Sequence, residues 1–489
     1  MKTKVPPEVR TAAAAPPLEI KDLPGPRGLP IVGNALQVDP HRLHQKVEAW
    51  ARKFGPVFRF RLGGRRLLVV SDHDVLADVL RDRPDGFRRT RRLEAIGLEM
   101  GLTPGVFAAN GEAWKRQRRM VMAGFDPTHV RAYLPSLLKV TQRLRGRWLR
   151  ASRAGAPIEL QPELMRFTVD AIAGLAFGAD VNTLASDDEV IQQHLDKIFP
   201  ALFRRTFSMI PWWRYFPRAA DRQLERSVAI VNEAIGGFIA QARARLSADP
   251  QRRADPPNLL ESMIVSADPG DSGRVDIVSD REIAGNVLTM LLAGEDTTAN
   301  TLAWMIYLLH GHPAAMARAN DEVRALGLDS SAFTPEHMTS LDYLEACAHE
   351  TMRLKPVAPF QVIEALRDTV VAGVRVPAGT LVWCLMRGDS VDARYFPEPL
   401  AFRPERWMAD GGPGQALSSA KRISMPFGAG PRVCPGRYLA LLEIKMAMAM
   451  LLTHFEIETV TTPDGAEAVE HMSFTMMPVG LQMRLRERA

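Results

Sequence analysis

Met425-Pro-Phe-Gly-Ala-Gly-Pro-Arg-Val-Cys434-Pro-Gly-Arg-Tyr-Leu-Ala-Leu-Leu442 is the stretch on which the reading of this 489-residue chain turns. One cysteine, Cys434, closes a loop dense in glycine and proline and stands just before an apolar helical run. Gly428, Gly430 and Gly436 admit backbone turns closed to other residues, while Pro426, Pro431 and Pro435 fix φ and remove backbone donors. A loop built this way holds one sulfur rigidly among N–H groups aimed at it, and the start of the next helix adds partial positive charge. Both effects favour a thiolate. Arg432, two residues earlier, carries a cation toward any anionic group nearby.

Three chemical readings of Cys434 compete: metal ligand, nucleophile, or buried structural thiol. A free cysteine is usually a small hydrophobe, but the composition of this loop argues against that reading. A nucleophile needs a base, and no histidine lies near in sequence. No second Cys or His stands at the spacing of a zinc site. One thiolate as sole protein ligand suits a haem iron, whose in-plane ligands come from the porphyrin.

Phe427, Gly430, Arg432, Cys434 and Gly436 fill every fixed position of Phe-x-x-Gly-x-Arg-x-Cys-x-Gly, so this loop resembles the haem-binding loop of the cytochrome P450 family. The resemblance runs from about Pro24 to the C-terminus through the motifs below. It implies a mainly α fold, a large helical domain with a small β-rich lobe over residues 24–489, behind a disordered tail over 1–23. It implies heme b as cofactor, with the axial metal ligand from Cys434.

The 46% hydrophobic content suffices for a large core, and no long Gly/Ser or charged linker divides the chain. Cys347, Cys384 and Cys434 form no disulfide framework, which suggests a reducing compartment. No apolar run of about 18 residues stands near the N-terminus, and Thr11–Pro17 is too short for a signal peptide. The expectation is a cytoplasmic, bacterial-type member without a transmembrane anchor. Net charge is +6, with 30 Lys and Arg against 14 Asp and Glu through Gly155 and a net acidic remainder. No nucleic-acid module accompanies the arginines, which are not interleaved with stacking aromatics. The basic part reads either as a solvated surface or as a face for an acidic electron-transfer partner, of ferredoxin or flavodoxin type. Only about 50 residues follow Cys434, leaving no room for a fused reductase, so the partner is expected to be separate.

Along the chain, Pro24–Gly33 reads as a Pro/Gly-rich surface segment resembling the family's proline-rich hinge. His41–Phe54 has helical spacing, Val57–Leu62 and Arg65–Val70 read as a hairpin around Gly63-Gly64, and Ser71–Leu80 returns to helix. Phe87–Pro104 reads as an irregular, Arg-rich loop. In the helix opening at Gly111, Trp114 and Arg118 share a face. By resemblance they are the indole donor and the base that meet the haem propionates, with Arg116 and Arg119 left for a docking face. Asp126–Arg153, Pro162–Phe177, Asp187–Phe207 and Gln223–Leu246 read as helices, and Ala248–Gly273 as an exposed connection. Phe199, Phe203, Phe207, Trp212, Trp213 and Phe216 cluster where the family roofs its pocket, where they are core or touch a membrane surface.

Ser279–Glu282 is a capping box opening a helix of about 32 residues, apolar nearly all round and therefore buried. At its centre Ala293-Gly-Glu-Asp-Thr-Thr298 brings helix-weakening and polar residues, whose threonines can bond back to i−4 carbonyls and open the helix. The segment is similar to the family's oxygen-binding signature, which implies that Thr297 hydrogen-bonds dioxygen and Asp296 relays protons. Family members that use peroxide directly typically lack this pair, so a monooxygenase is expected over a peroxygenase. Glu350 and Arg353, followed by Phe402-Arg-Pro-Glu-Arg-Trp407, resemble the family's Glu-x-x-Arg pairing. That implies a structural triad of Glu350, Arg353 and Arg406. Many relatives carry a basic propionate ligand where this chain has Ile363 or Glu364, which leaves the second anchor open. The implied activity is insertion of one oxygen atom from O2 into a lipophilic small molecule: fatty acid, terpenoid, steroid or polyketide-like. An isomerase or peroxygenase, or a non-catalytic haem sensor, are the alternatives. Expected pocket residues are Phe107, Met290, Ala293, Val357, Phe360 and Met476.

Overall fold

The computed structural model describes residues 16–125, 127–185, 191–267, 279–408 and 417–488. α1 (Leu43–Phe54) buries Leu43, Val47 and Trp50 on one face, the i, i+4, i+7 spacing of an amphipathic helix. It packs on a hairpin of β1 (Val57–Leu62) and β2 (Arg65–Val70), which turns at Gly63-Gly64 as the sequence predicts. α2 (His73–Arg81) starts at Asp72, whose carboxylate accepts the backbone N–H groups of Asp74 and Val75. Then come β3 (Phe87–Arg89), α3 (Arg91–Glu99), α4 (Gly111–Gly124), α5 (Leu134–Arg153), α6 (Leu160–Phe177), α7 (Ile198–Phe207), α8 (Ala219–Ala248) and α9 (Leu259–Ala267). α10 (Asp280–His310), α11 (Asp342–Leu354), β4 (Phe360–Ala365), β5 (Leu381–Leu385), α12 (Arg437–His454), β6 (Glu470–Met472) and β7 (Met476–Pro478) complete the frame.

The β-rich lobe is a five-stranded sheet in the order β1-β2-β5-β4-β3, with β2 and β5 parallel and the other neighbours antiparallel. Its register sets Arg89 opposite Ile363 and Arg88 opposite Glu364. The helical part is organised on α10, which begins at the expected capping box: Ser279 accepts from the Glu282 N–H, and Glu282 accepts from the Ser279 N–H. α6 crosses it at Gly294, where an added Cβ would stand 3.0 Å from Ile172 Cγ1. The glycine thus permits a close helix approach. α10 is unbroken, so the threonines do not open it; the Thr297 and Thr301 hydroxyls donate to the Ala293 and Thr297 carbonyls at 2.7 and 2.8 Å within the ladder.

Four expectations are corrected. Residues 1–15 lie outside the described ones, but 16–23 are not a disordered tail: Leu18–Glu19 pairs in parallel with Val374 and Arg375, and Ile20 and Leu23 are buried. Phe87–Pro104 is not irregular throughout, since β3 and α3 occupy most of it and Thr90 caps α3 by accepting from the Leu93 N–H. Within Ala248–Gly273, α9 is core, with Leu259, Leu260 and Met263 almost fully buried, because its short apolar run docks on α4. Residues 268–278, and Asp187 at the expected start of a helix, lie outside the described residues. Gly436 has φ −82°, open to any residue, whereas Gly428 and Gly430 take positive φ.

Candidate active site

The loop before α12 is set by a contact with α2. Gly430 has φ +71°, and a Cβ there would sit 2.5 Å from the Leu80 carbonyl oxygen, so only glycine fits. The Cys434 N–H donates to the Phe427 carbonyl at 2.9 Å and closes the loop. Burial pushes the Cys434 thiol up; the Gly436 N–H and the charges of Arg118 and Arg437 act the other way, toward the thiolate. Without a metal, burial outweighs them. The thiol is deeply embedded, while the residue as a whole is only partly enclosed.

A second accessible strip lies inside the protein. Residues 298–306 of α10 are buried, as are 290–292, but Ala293, Gly294, Asp296 and Thr297 between them are only partly so. Asp296 accepts from Asn300 Nδ2 at 2.9 Å and from the Thr475 hydroxyl in the β6–β7 turn. Burial pushes its carboxyl up to about 6, opposed by these two hydrogen bonds and reinforced by the charge of Asp196. Glu295 is fully enclosed and raised further, through burial and then its contact with Asp196. Phe474, in that turn, stacks on Phe199 at 4.4 Å and packs against Phe107 at 5.9 Å. Met476 is buried with Trp304 and Phe203, and its N–H donates to the Val357 carbonyl. Of the expected pocket residues, Phe107 thus joins this aromatic roof, and Met476 and Val357 stand beside the acid's partner.

Arginines converge on the other side. Trp114 is buried, and the Arg432 guanidinium lies 4.6 Å over its ring while donating to the Ala109 carbonyl at 2.7 Å. Arg118 donates to the Val433 carbonyl at 2.7 Å, which ties α4 to the residue before Cys434. Arg83 and Arg89, not singled out in the sequence, join them: Arg83 is 2% exposed, and Arg89 stacks 4.0 Å over Phe107. Arg83 Nε and Nη2, Arg89 Nε and Arg432 Nε are buried donors without partners. Burial and mutual repulsion push Arg432 down to about 9; burial pushes Arg83 down to about 10. Among the described residues no carboxylate pairs with Arg83, Arg89, Arg118 or Arg432. Buried cations of this kind fit a group bearing its own carboxylates. Arg116 pairs with Glu282 at 2.7 Å.

The three residues of the expected cage meet. Glu350 and Arg353, both 0% exposed, form a bidentate pair at 2.7 and 2.8 Å, and Arg406 Nε reaches Glu350 at 3.3 Å. Two partners were not foreseen: Trp407 Nε1 and the Arg403 N–H donate to Glu350 at 2.8 and 2.9 Å. Arg353 also donates to the Ser390, Pro399 and Ala401 carbonyls, which pins the segment leading to the cysteine loop.

Residues 23–485 match the sequence profile described as cytochrome P450. The chain is 27% identical over 488 residues to the chloroplastic cytochrome P450 97B2 of Glycine max, covering 90% of this chain and 82% of that protein. It is 27% identical to the chloroplastic carotene epsilon-monooxygenase of Arabidopsis thaliana, covering 90% and 81%. Against a self-sufficient cytochrome P450 monooxygenase of Exserohilum turcicum it is 28% identical over 97% of this chain, but spans only 43% of that protein's length. The crystal structure of the cytochrome P450DA heme domain superposes with a TM-score of 0.79 at 24% identity, covering 97% of this chain and 98% of that one, and shows the shared fold. No helix among the described residues is long and apolar enough to cross a membrane.

Proposed function

The chain belongs to the cytochrome P450 family of haem-thiolate monooxygenases, and from that premise we propose that it inserts one atom of O2 into a lipophilic small molecule, with Cys434 as the thiolate that would hold heme b. The observation that carries the reading is that Cys434, at the end of a loop fixed by Gly430, and Asp296 and Thr297, on an otherwise buried helix, are each only partly enclosed. When bound, the haem supplies the redox centre at which O2 is activated and C–H or C=C bonds are oxidised. The protein supplies the rest. Phe427, Gly430 and Gly436 hold the loop, and the Gly436 N–H favours the sulfur's anionic form. Arg432, Trp114 and Arg118 would hold the cofactor's carboxylates, and Arg83 and Arg89 would serve as the anchor left open at Ile363 and Glu364. The sheet supports this, because β3 sets Arg89 directly across from Ile363.

Asp296, with a carboxyl near 6, takes up and releases protons around neutral pH. Thr475 and Asn300 fix its direction, and Thr297 presents a hydroxyl one residue on. Glu350, Arg353 and Arg406 keep the cysteine loop in place. Electrons come from a separate acidic ferredoxin- or flavodoxin-type partner, a reading supported by the basic balance through Gly155. The test is the reduced, carbon monoxide-treated protein: the family's long-wavelength absorption band is expected, and Cys434→Ser removes it. Turnover with O2 and an electron donor, and not with peroxide alone, separates a monooxygenase from a peroxygenase; folded protein without the band refutes the reading.

A further inference from the structure

Asp296 is held from three directions. Thr475, in the β6–β7 turn, donates its hydroxyl to Oδ2, and Asn300, one turn on along α10, donates Nδ2 to Oδ1 at 2.9 Å. The third direction is indirect. Gln161, the second residue of α6, donates Nε2 to Asn300 Oδ1 at 2.9 Å. Asn300 Nδ2 also lies 3.5 Å from the Thr475 hydroxyl. Asn300 is 0% exposed and Gln161 is half-buried, so a hydrogen-bonded line runs inward from α6 to the acid. Its mount is stiff. Ile158 pairs with Met483, and the Leu160 N–H donates to the Leu481 carbonyl at 3.0 Å, which fixes the start of α6. Further along, the Thr168 hydroxyl donates to the Glu295 carbonyl at 2.7 Å, and Ile172 packs at Gly294. Two contacts between the helices thus set Gln161 against Asn300.

A carboxamide has one donating end and one accepting end. Asn300 is fully enclosed, so each end needs a partner within the protein. The Gln161 donor takes the oxygen end and leaves the amino end for Asp296, the arrangement that favours a carboxylate. Turned round, Asn300 would set its oxygen against Asp296, which is tolerable only while Asp296 carries a proton. The titratable groups facing Asp296 are Glu295, its neighbour on α10, and Asp196, from the chain before α7. Burial and the Asp196 charge favour the protonated acid, and the donors from Thr475 and Asn300 oppose them.

We propose that Gln161 is a positioning residue of the Asp296 relay: it keeps the amino end of Asn300 turned to the acid, so that the buried carboxyl releases its proton as well as holding it. The proposal rests on the relay reading for its purpose, and on the Gln161–Asn300–Asp296 line for its chemistry. Gln161 touches neither substrate nor cofactor in this role and acts only through Asn300.

The test follows the Asp296 carboxyl by infrared titration of the holoprotein, with Asp296→Asn identifying its band; the wild-type midpoint is expected at about 6. Gln161→Glu offers Asn300 only an acceptor. Asn300 then turns its oxygen to Asp296, and the midpoint is expected to rise by about one pH unit. The rise should persist in concentrated sodium chloride, because it passes through buried hydrogen bonds and not as a screened charge. In an Asn300→Ala background, Gln161→Glu should leave the midpoint where it is. Gln161→Lys, a donor only, should keep it at or below the wild-type value. An unmoved midpoint in Gln161→Glu overturns the proposal and leaves Gln161 as a bridge between two helices. A rise that vanishes with salt, or one of equal size without Asn300, overturns it as well and makes the effect that of a distant charge. If Asn300→Ala does not fold, the salt series on Gln161→Glu draws the same distinction. The midpoint is read without turnover, so the two readings fail differently. A midpoint that rises while the pH profile of product formation stays put refutes the relay and supports the positioning role; an unmoved midpoint refutes the positioning role whatever the relay does.

Discussion

Replacing Glu350 by glutamine changes one charge in a fully enclosed cluster. Oε1 accepts from Arg353 Nη2, the Arg403 N–H and Arg406 Nε; Oε2 accepts from Arg353 Nε and Trp407 Nε1. A glutamine whose oxygen takes the Oε1 place keeps three of these bonds. Its NH2 then faces two buried donors, Arg353 Nε and Trp407 Nε1, which cost about 1–3 kcal/mol each when unsatisfied. The charge lost leaves Arg353 and Arg406 without their anion, and breaking a buried pair in this way costs about 3–5 kcal/mol. These costs overlap, and ~5 kcal/mol is the expected total, a large part of a stability on the order of 5–15 kcal/mol. Urea unfolding of the purified proteins reads it directly, with the carbon monoxide band as a readout of haem retention. Asp78→Asn, which breaks an exposed pair with Arg81, is the control and should stay within about 0.5 kcal/mol. A Glu350→Gln protein with the wild-type urea midpoint and a full band would refute the assignment of this cluster as the brace of the cysteine loop.

Asp296→Asn is expected to lower product formation by about a hundredfold while the band persists, and to flatten the fall in rate as pH rises through about 6 and the proton-donating form is lost; a variant with the wild-type pH profile counts against the relay. Glu443, 2% exposed on α12, has its carboxyl pushed up by burial to about 8, opposed by a hydrogen bond from Thr298. Its folded form holds a proton that the unfolded chain loses above the ordinary value of 4.5, so its contribution falls as pH rises from there to about 8. Glu443→Gln should therefore be stabilising by roughly 2–4 kcal/mol at pH 8 and near neutral at pH 5, read as a gap between melting curves that widens with pH. Arg83→Gln and Arg89→Gln should each speed haem transfer to apomyoglobin several-fold, on the order of 1 kcal/mol per lost charged contact; unchanged transfer rates would leave Ile363 and Glu364 without a substitute.

Elements with strong local signals were legible in the sequence. The hairpin turned where Gly63-Gly64 stands, and α10 began at its capping box and ended at His310, because those features act within four residues. The cysteine loop was legible for the same reason, though only Gly428 and Gly430 take the positive φ expected of three glycines. What escaped was set by distant contacts. Leu18–Glu19 is ordered by a strand more than 350 residues later, and α9 is buried although its flanks are polar. Thr475 carries no signal of its own; it matters because a β-turn brings it onto Asp296.

Ile363 and Glu364 show how such a gap closes. Read along the chain, they stand where the family resemblance leads one to expect a cation. Read across the sheet, the cation is one strand away, because antiparallel pairing places Arg89 beside Ile363 and Arg88 beside Glu364. A buried dianion is stabilised by charge at a distance, not by charge at a sequence position, so either strand satisfies the same requirement. Glu364 is then released to bind Arg91 at the start of α3, where it accepts the backbone N–H and the side chain together. The same exchange that moves the inner cation to β3 thus fixes the start of α3 and, with it, Arg92. On the proposed anchoring, the cations that would meet the cofactor's carboxylates and the cations at the start of α3 are two consequences of one strand pairing.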